Sequence, residues 1–157
     1  MSENNRVQEN PQEEKKPSEN ARENASPSAA TPFDWVTARL SCALPRVFNS
    51  LVSQLEQDVA TRNSLRPPNS PYEFSLTEDN GELTVHLNTA KLRRSVIFKL
   101  SLPDHAILVQ DETGNRMFDV TSRLDDTGKC VLMVNGEERD PWQVRRMALE
   151  DLMFSGL

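Results

Sequence analysis

The chain has few of the residues that most often carry chemistry in a small protein. Its 157 residues include two histidines, two cysteines and five glycines. Gly81, Gly114, Gly128 and Gly136 all fall in turn sequences, so none of them belongs to a phosphate-binding loop. Long apolar runs are also missing, and no stretch approaches the roughly 18 residues of a membrane span. We therefore predict neither a P-loop or Rossmann enzyme nor a chain that enters a membrane.

An excess of positive charge is missing as well. The chain carries 18 basic and 24 acidic side chains, which gives a formal net charge of -6. A protein that binds nucleic acid in general needs a basic surface to displace counterions from the phosphates. We therefore expect no nucleic-acid partner.

The two cysteines, Cys42 and Cys130, lie far apart and each has apolar neighbours. They are too few for a disulfide scaffold, and no CxxC pair indicates a metal site. We predict two buried, reduced thiols. The first residues lack the basic and apolar segments of a secretory signal, which favours a cytoplasmic location.

Residues 1–31 differ in composition from the rest of the chain. They contain no aromatic residue and are dominated by Glu, Asn, Ser, Pro and Lys. Such a segment cannot bury enough surface to offset its conformational entropy. We predict a disordered polar leader at 1–31 and a single domain at 32–157. The leader acts either as a solubilising segment or as a docking segment that folds on a partner.

Residues 32–63 are predicted to be helical. Thr31 can cap the helix, proline suits the first turn, and Asp34 takes the capping-box position. Pro45 interrupts the apolar stripe without changing its phase, which predicts either a kink or a break. The stripe has the spacing of an amphipathic helix, at Phe33, Val36, Leu40, Leu44, Val47, Phe48, Leu51, Val52, Leu55 and Val59.

Residues 72–139 alternate between apolar and polar side chains, as strands do. Asn80-Gly81 is a strong signal for a two-residue hairpin, because both central positions of a type I′ turn need positive φ. A two-residue loop there pairs Leu76 with Val85 on the apolar face. Further turn sequences at even spacing predict an antiparallel meander of about six strands.

A second helix is predicted at 140–155, after the sheet. Asp140 can cap it, Pro141 suits the first turn, and Gln143 takes the capping-box position. The predicted class is therefore α+β. An antiparallel meander packs against a Pro-kinked N-terminal helix and a C-terminal helix, behind the disordered leader.

No catalytic, metal-binding or cofactor-binding residue is assigned from the sequence. His86 lies on the polar side of its strand opposite Ser75, and His105 lies in a turn. No nucleophile motif supports a triad around them. Asp125-Asp126 lacks the regular ligands of a calcium loop and is better explained as turn chemistry. An enzyme would need the histidines to meet acids in a cleft.

Apolar side chains on the helices point instead to an interaction protein. The end of the second helix is rich in apolar residues, although chain ends usually fray unless they dock. We expect a non-enzymatic adaptor or chaperone-like module that binds another protein or a second copy of itself as a homodimer. The candidate surface is Trp35, Trp142, Met153 and Phe154.

Two basic clusters are candidate contacts for an anion or an acidic peptide. The first precedes the third strand, and the second lies on the last helix. The alternative is that these arginines balance nearby acids, as Glu150 does four residues after one of them. The candidates are Arg93, Arg94, Arg145 and Arg146.

A small-molecule carrier or sensor is the alternative function. A curved sheet wrapped over a helix can enclose an apolar pocket, although the same side chains would be needed to build a core. The candidate lining is Phe74, Leu76, Val85, Phe98, Leu100 and Phe118.

Overall fold

Residues 31–155 are described by a computed structural model, and they form three helices and seven strands. The predicted disorder of the leader concerns residues that, except for Thr31, lie outside this range. The helices are α1 (Trp35–Ser41), α2 (Leu44–Ser64) and α3 (Pro141–Phe154). The strands are β1 (Glu73–Asp79), β2 (Glu82–Asn88), β3 (Arg93–Ser101), β4 (Ala106–Asp111), β5 (Arg116–Leu124), β6 (Cys130–Val134) and β7 (Glu137–Arg139).

The seven strands form one sheet in which each strand pairs with its sequence neighbour. The order is β1-β2-β3-β4-β5-β6-β7 and every pairing is antiparallel. The α+β class with a meander covered by helices is confirmed. The sheet has one strand more than the expected number of about six.

The first hairpin has the register that its turn sequence predicts. Leu76 pairs with Val85, and the φ angles are 44° at Asn80 and 77° at Gly81. Positive φ at both positions defines the turn that matches the twist of the strands. The same device recurs at Asn135-Gly136, between β6 and β7.

Pro45 marks a break between two helices rather than a kink in one. α1 ends at Ser41, and α2 begins at Leu44 with the proline in its first turn, where no backbone donor is needed. The junction is Cys42–Ala43. The continuous apolar stripe expected across it is not observed, because Val36 and Leu40 of α1 are 50% and 61% exposed whereas the stripe residues of α2 are buried or partly buried.

The predicted cap at Thr31 is wrong. Asp34 is itself the N-cap of α1, and its Oδ1 accepts a hydrogen bond from the backbone N–H of Thr37 at 3.0 Å. An aspartate accepts from the third residue of a helix as readily as threonine does, so the helix begins one turn later than its proline indicated.

The core lies between one face of the sheet and the helices. α2 lies against β1, β3, β4 and β5, α3 against β3, and α1 against β5 and β6. The apolar stripe of α2 packs against alternate residues of the strands, because successive strand side chains point to opposite faces of the sheet. The buried residues of α2 are Phe48, Leu51, Val52, Leu55 and Val59.

The prediction of two reduced thiols is wrong, because Cys42 and Cys130 form a disulfide. Their Cα atoms lie 5.4 Å apart, although 88 residues separate them in sequence. Cys42 is buried in the α1–α2 junction, where its carbonyl accepts a hydrogen bond from Ser122 Oγ at 2.7 Å. The bond fastens this junction to the start of β6. The two cysteines come close only in the folded sheet, so their distance in sequence gave no sign of the bond.

The end of α2 is attached to the edge strand β1 through Asn63. Its Nδ2 donates to the carbonyl of Phe74 at 2.8 Å, and its Oδ1 accepts from the N–H of the same residue at 3.0 Å. One side chain thus satisfies both backbone groups of a strand residue that has a neighbouring strand on only one side.

Replacing Asn63 by alanine is expected to lower the free energy of unfolding by about 2 kcal/mol, because two backbone groups at a partly buried site lose their partner. Asn63→Asp keeps the acceptor but sets a carboxylate oxygen against the Phe74 carbonyl, so it should not restore the stability lost in alanine. Urea denaturation measures the effect. Gln57→Ala, an exposed change on the same helix, is the control and should change stability by less than about 0.5 kcal/mol.

None of the helices within residues 31–155 is both long and apolar enough to cross a bilayer.

Candidate interaction groove between α2 and α3

Helix α3 begins where the sequence predicts. The backbone N–H of Asp140 donates to Gln143 Oε1 at 2.8 Å, which is one half of a capping box. The helix then turns Val144, Ala148 and Leu152 toward the sheet, and these side chains are buried. Trp142 and Phe154, at its two ends, remain 51% and 48% exposed.

Arg145 joins α3 to α2. Its Nε donates to Asp58 Oδ2 at 2.6 Å, and its Nη1 donates to Gln54 Oε1 at 2.7 Å. The arginine side chain is 17% exposed, so solvent screens this pair less than an ordinary surface ion pair. The two helices are therefore held side by side with a defined spacing.

A groove of about 720 Å³ runs along this pair of helices. Leu149 and Met153 form its floor and are 3% and 7% exposed. Trp142, Phe154 and Leu65 stand on its rim, and Leu65 is 74% exposed. A groove with a floor of buried aliphatic groups and a rim of large exposed side chains is typical of sites that bind a protein partner.

Arg62 closes one side of the groove. Its Nε donates to the carbonyl of Met153 at 3.1 Å, and its guanidinium carbon lies 5.4 Å from the ring centroids of both Phe74 and Phe154. Stacking of a cation between two rings stabilises the orientation of both. Phe154 is thus placed by contacts, although it is half-exposed.

The groove carries a small positive excess in an acidic chain. Arg62, Arg145 and Arg146 line it together with Asp58 and Glu150. Arg146 Nε lies 3.0 Å from Glu150 Oε2, and Arg145 is paired with Asp58. Arg62 has no carboxylate within ion-pair distance in the described range, so one cation is left over.

The candidate surface residues fall in two places. Trp142 and Phe154 lie on the rim of the groove, whereas Met153 is buried in its floor and offers little exposed surface. Trp35 is 64% exposed on α1 and does not line the groove. Leu65 was missed because it follows the apolar stripe of α2, and its place on the rim depends on α3, which is distant in sequence.

The candidate anion contacts are divided in the same way. Arg145 and Arg146 line the groove, and each pairs with an acid, as the alternative explanation required. Arg94 Nη2 lies 2.6 Å from Asp151 Oδ2. Arg93 is exposed at the start of β3. Arg62 was missed, and no local pattern distinguishes it from other helix arginines.

The histidines are not assembled into a triad. His86 Nε2 lies 2.9 Å from Thr77 Oγ1, and the Ser75 hydroxyl accepts from Asn88 Nδ2 at 3.1 Å. His105 occupies a turn with a φ of 48°. Between residues 31 and 155, no group of three His, Cys, Asp or Glu side chains is arranged to hold a metal ion.

In two turns, an aspartate carboxylate accepts hydrogen bonds from the threonine two residues later. Asp111 Oδ1 accepts from the hydroxyl and backbone N–H of Thr113 at 2.6 and 2.9 Å, and Asp125 Oδ1 does the same with Thr127 at 2.7 and 2.8 Å. The threonine hydroxyls, with backbone N–H groups, lower the pKa of both carboxyls. This bears out the turn chemistry expected at Asp125.

The candidate lining of a carrier is packed into the core. Phe74, Val85, Phe98 and Phe118 are buried in the main hydrophobic cluster, and Leu76 and Leu100 pack against it. These side chains therefore take part in the core between the sheet and the helices.

A comparison of the chain with protein-family models, curated proteins and solved structures found no match.

Proposed function

We propose that this protein is a non-enzymatic interaction module whose α2–α3 groove binds an apolar segment of another protein, flanked by acidic residues. The observation that carries the proposal is the groove, where Trp142, Phe154 and Leu65 stand exposed over a buried floor. Large, half-exposed aromatic residues beside buried apolar residues are typical of binding hot spots.

The charge of the groove favours an acidic segment of another protein over a second copy of this chain. The groove has one cation more than it has carboxylates, in a chain whose net charge is -6. A second copy has the same negative net charge, so the two copies repel each other. An acidic segment needs only local negative charge that matches the arginines of the groove. An amphipathic helix with apolar side chains at i, i+3, i+4 and i+7 has the shape for a groove between two helices.

A single tryptophan beside the groove makes the proposal measurable. In a Trp35→Phe variant, fluorescence reports on Trp142 alone, since the chain has two tryptophans. The probe is a designed amphipathic helix with Leu and Phe anchors and Glu flanks, compared with a Lys-flanked twin and a scrambled twin. We expect the Glu-flanked peptide to bind at least tenfold more tightly than either twin.

Replacing Trp142 and Phe154 together by alanine, read by calorimetry in the otherwise native chain, should weaken that binding at least tenfold. Trp35→Ala is the matched control and should leave it within twofold. Equal affinity for the three peptides, or no loss in the double variant, would contradict the proposal. A dimer in sedimentation equilibrium that Trp142→Ala dissociates would identify the occupant as a second copy instead.

The cytoplasmic location stays a prediction, and the Cys42–Cys130 disulfide weighs against it. Reducing systems of the cytosol keep most thiols free, whereas disulfides persist in oxidising compartments. Rapid alkylation of the protein in intact cells, before lysis, separates the two cases. Labelling of both cysteines would support a reducing compartment.

A further inference from the structure

We propose that a second cleft, beside the groove, binds a small organic anion whose phosphate or carboxylate is carried on an apolar body. The cleft lies where the end of α3 passes over β2, β3 and the segment that follows α2. Its volume is about 530 Å³, which is within the range of small-molecule sites. We refer to it as the anion cleft.

The lining of the anion cleft contains cations although the chain is acidic, and one of these cations, Arg94, is paired with Asp151 outside the lining. Two guanidinium groups, those of Arg62 and Arg94, line it, and no carboxylate side chain of residues 31–155 is part of the lining. Asn69, Ser70 and Tyr72 add polar side-chain groups that can donate hydrogen bonds. Guanidinium groups and hydroxyls are the donors that proteins use for phosphate and carboxylate.

Both arginines are already held in place. Arg62 is fixed by its Nε bond to the Met153 carbonyl and by the rings of Phe74 and Phe154. Arg94, whose side chain is 30% exposed, is fixed by its Nη2 bond to Asp151 Oδ2 at 2.6 Å. A guanidinium has five N–H donors, so each arginine keeps donors for a ligand. Ordering them before binding reduces the entropy lost when an anion arrives.

The floor of the anion cleft is apolar. Leu87 and Leu152 are each 3% exposed, and Met153 is 7% exposed. Leu92, at the edge, is 48% exposed. Such a floor gains nothing from a free inorganic anion but can receive a ring or an alkyl chain. The expected ligand therefore combines an anionic head with an apolar body.

This inference does not depend on a protein partner in the groove. The two clefts share Arg62, Pro67 and Met153, but Arg94 lines only the anion cleft and Arg146 lines only the groove. The lining also differs from the six core residues that the sequence offered for a carrier. A single substitution at either arginine thus separates the two sites.

Calorimetric titration of the full chain with four probes tests the proposal. The probes are phenyl phosphate, benzoate, inorganic phosphate and benzyl alcohol. We expect phenyl phosphate or benzoate to bind at least tenfold more tightly than both inorganic phosphate and benzyl alcohol, and the tighter of the two identifies the head group. If neither exceeds benzyl alcohol, the arginines do not bind an anion and the proposal fails. If inorganic phosphate binds as tightly as phenyl phosphate, the apolar floor has no part and the proposal also fails.

Two variants locate the binding. Arg94→Gln should weaken the better probe at least tenfold, and Arg146→Gln should change it by less than twofold. Arg94 is tied to Asp151, which is itself 74% exposed, so the substitution leaves no buried charge behind. Chemical-shift changes at the Arg94 and Arg62 Nε–H groups give a second readout in the wild-type chain. Equal effects of the two variants would overturn the assignment to the anion cleft.

Discussion

Replacing Cys42 and Cys130 together by alanine is expected to lower the free energy of unfolding by about 4 kcal/mol. The two cysteines are separated by 88 residues, so their bond removes a large amount of loop-closure entropy from the unfolded chain. The same bond holds the α1–α2 junction on β6. Domains of this size are typically stable by about 5–15 kcal/mol, so the variant should unfold at a much lower denaturant concentration.

Guanidinium chloride denaturation in the absence and presence of dithiothreitol measures the effect. The wild type under reducing conditions should resemble the double variant, and the double variant itself should not respond to the reductant. A wild type whose unfolding midpoint is the same in both conditions would show that the bond contributes nothing to stability.

Leu55→Ala is expected to lower the free energy of unfolding by about 3 kcal/mol, because it opens a cavity between α2 and the sheet. Leu55 is 0% exposed and belongs to the main hydrophobic cluster. Leu65, ten residues later, is the matched control, since it is 74% exposed on the groove rim. Leu65→Ala should change stability by less than about 0.5 kcal/mol.

The same pair of leucines separates folding from binding. Leu65→Ala should weaken the Glu-flanked peptide severalfold while the protein stays as stable as the wild type. Thermal unfolding and peptide titration on the same samples give both readouts. A Leu65 variant that loses stability as Leu55→Ala does would mean that the rim is part of the core.

Local chemistry made the strands and the start of α3 predictable. Asn80-Gly81 imposes one turn geometry, and period two then leaves a single register that buries Leu76 opposite Val85. The start of α3 at Asp140 follows in the same way from its cap and proline. In each case, the residues that decide the structure lie within about ten positions of one another.

The groove and the disulfide were beyond such reasoning because they join distant parts of the chain. Arg145 meets Asp58 across 87 residues, and Arg62 meets the carbonyl of Met153 across 91. Trp142 and Phe154 are candidates from the sequence because their size and their place on an apolar helix are visible locally. Their common rim with Leu65 requires the packing of α2 beside α3.

The pairing of each strand with its sequence neighbour also affects how the protein folds during its synthesis. Hairpins of this kind form from nearby residues, so the sheet can assemble strand by strand while the chain is still being synthesised. Leu149 and Met153, the floor of the groove, belong to α3, which leaves the ribosome only after all seven strands. The groove therefore forms only on a chain that has been synthesised and folded as far as α3.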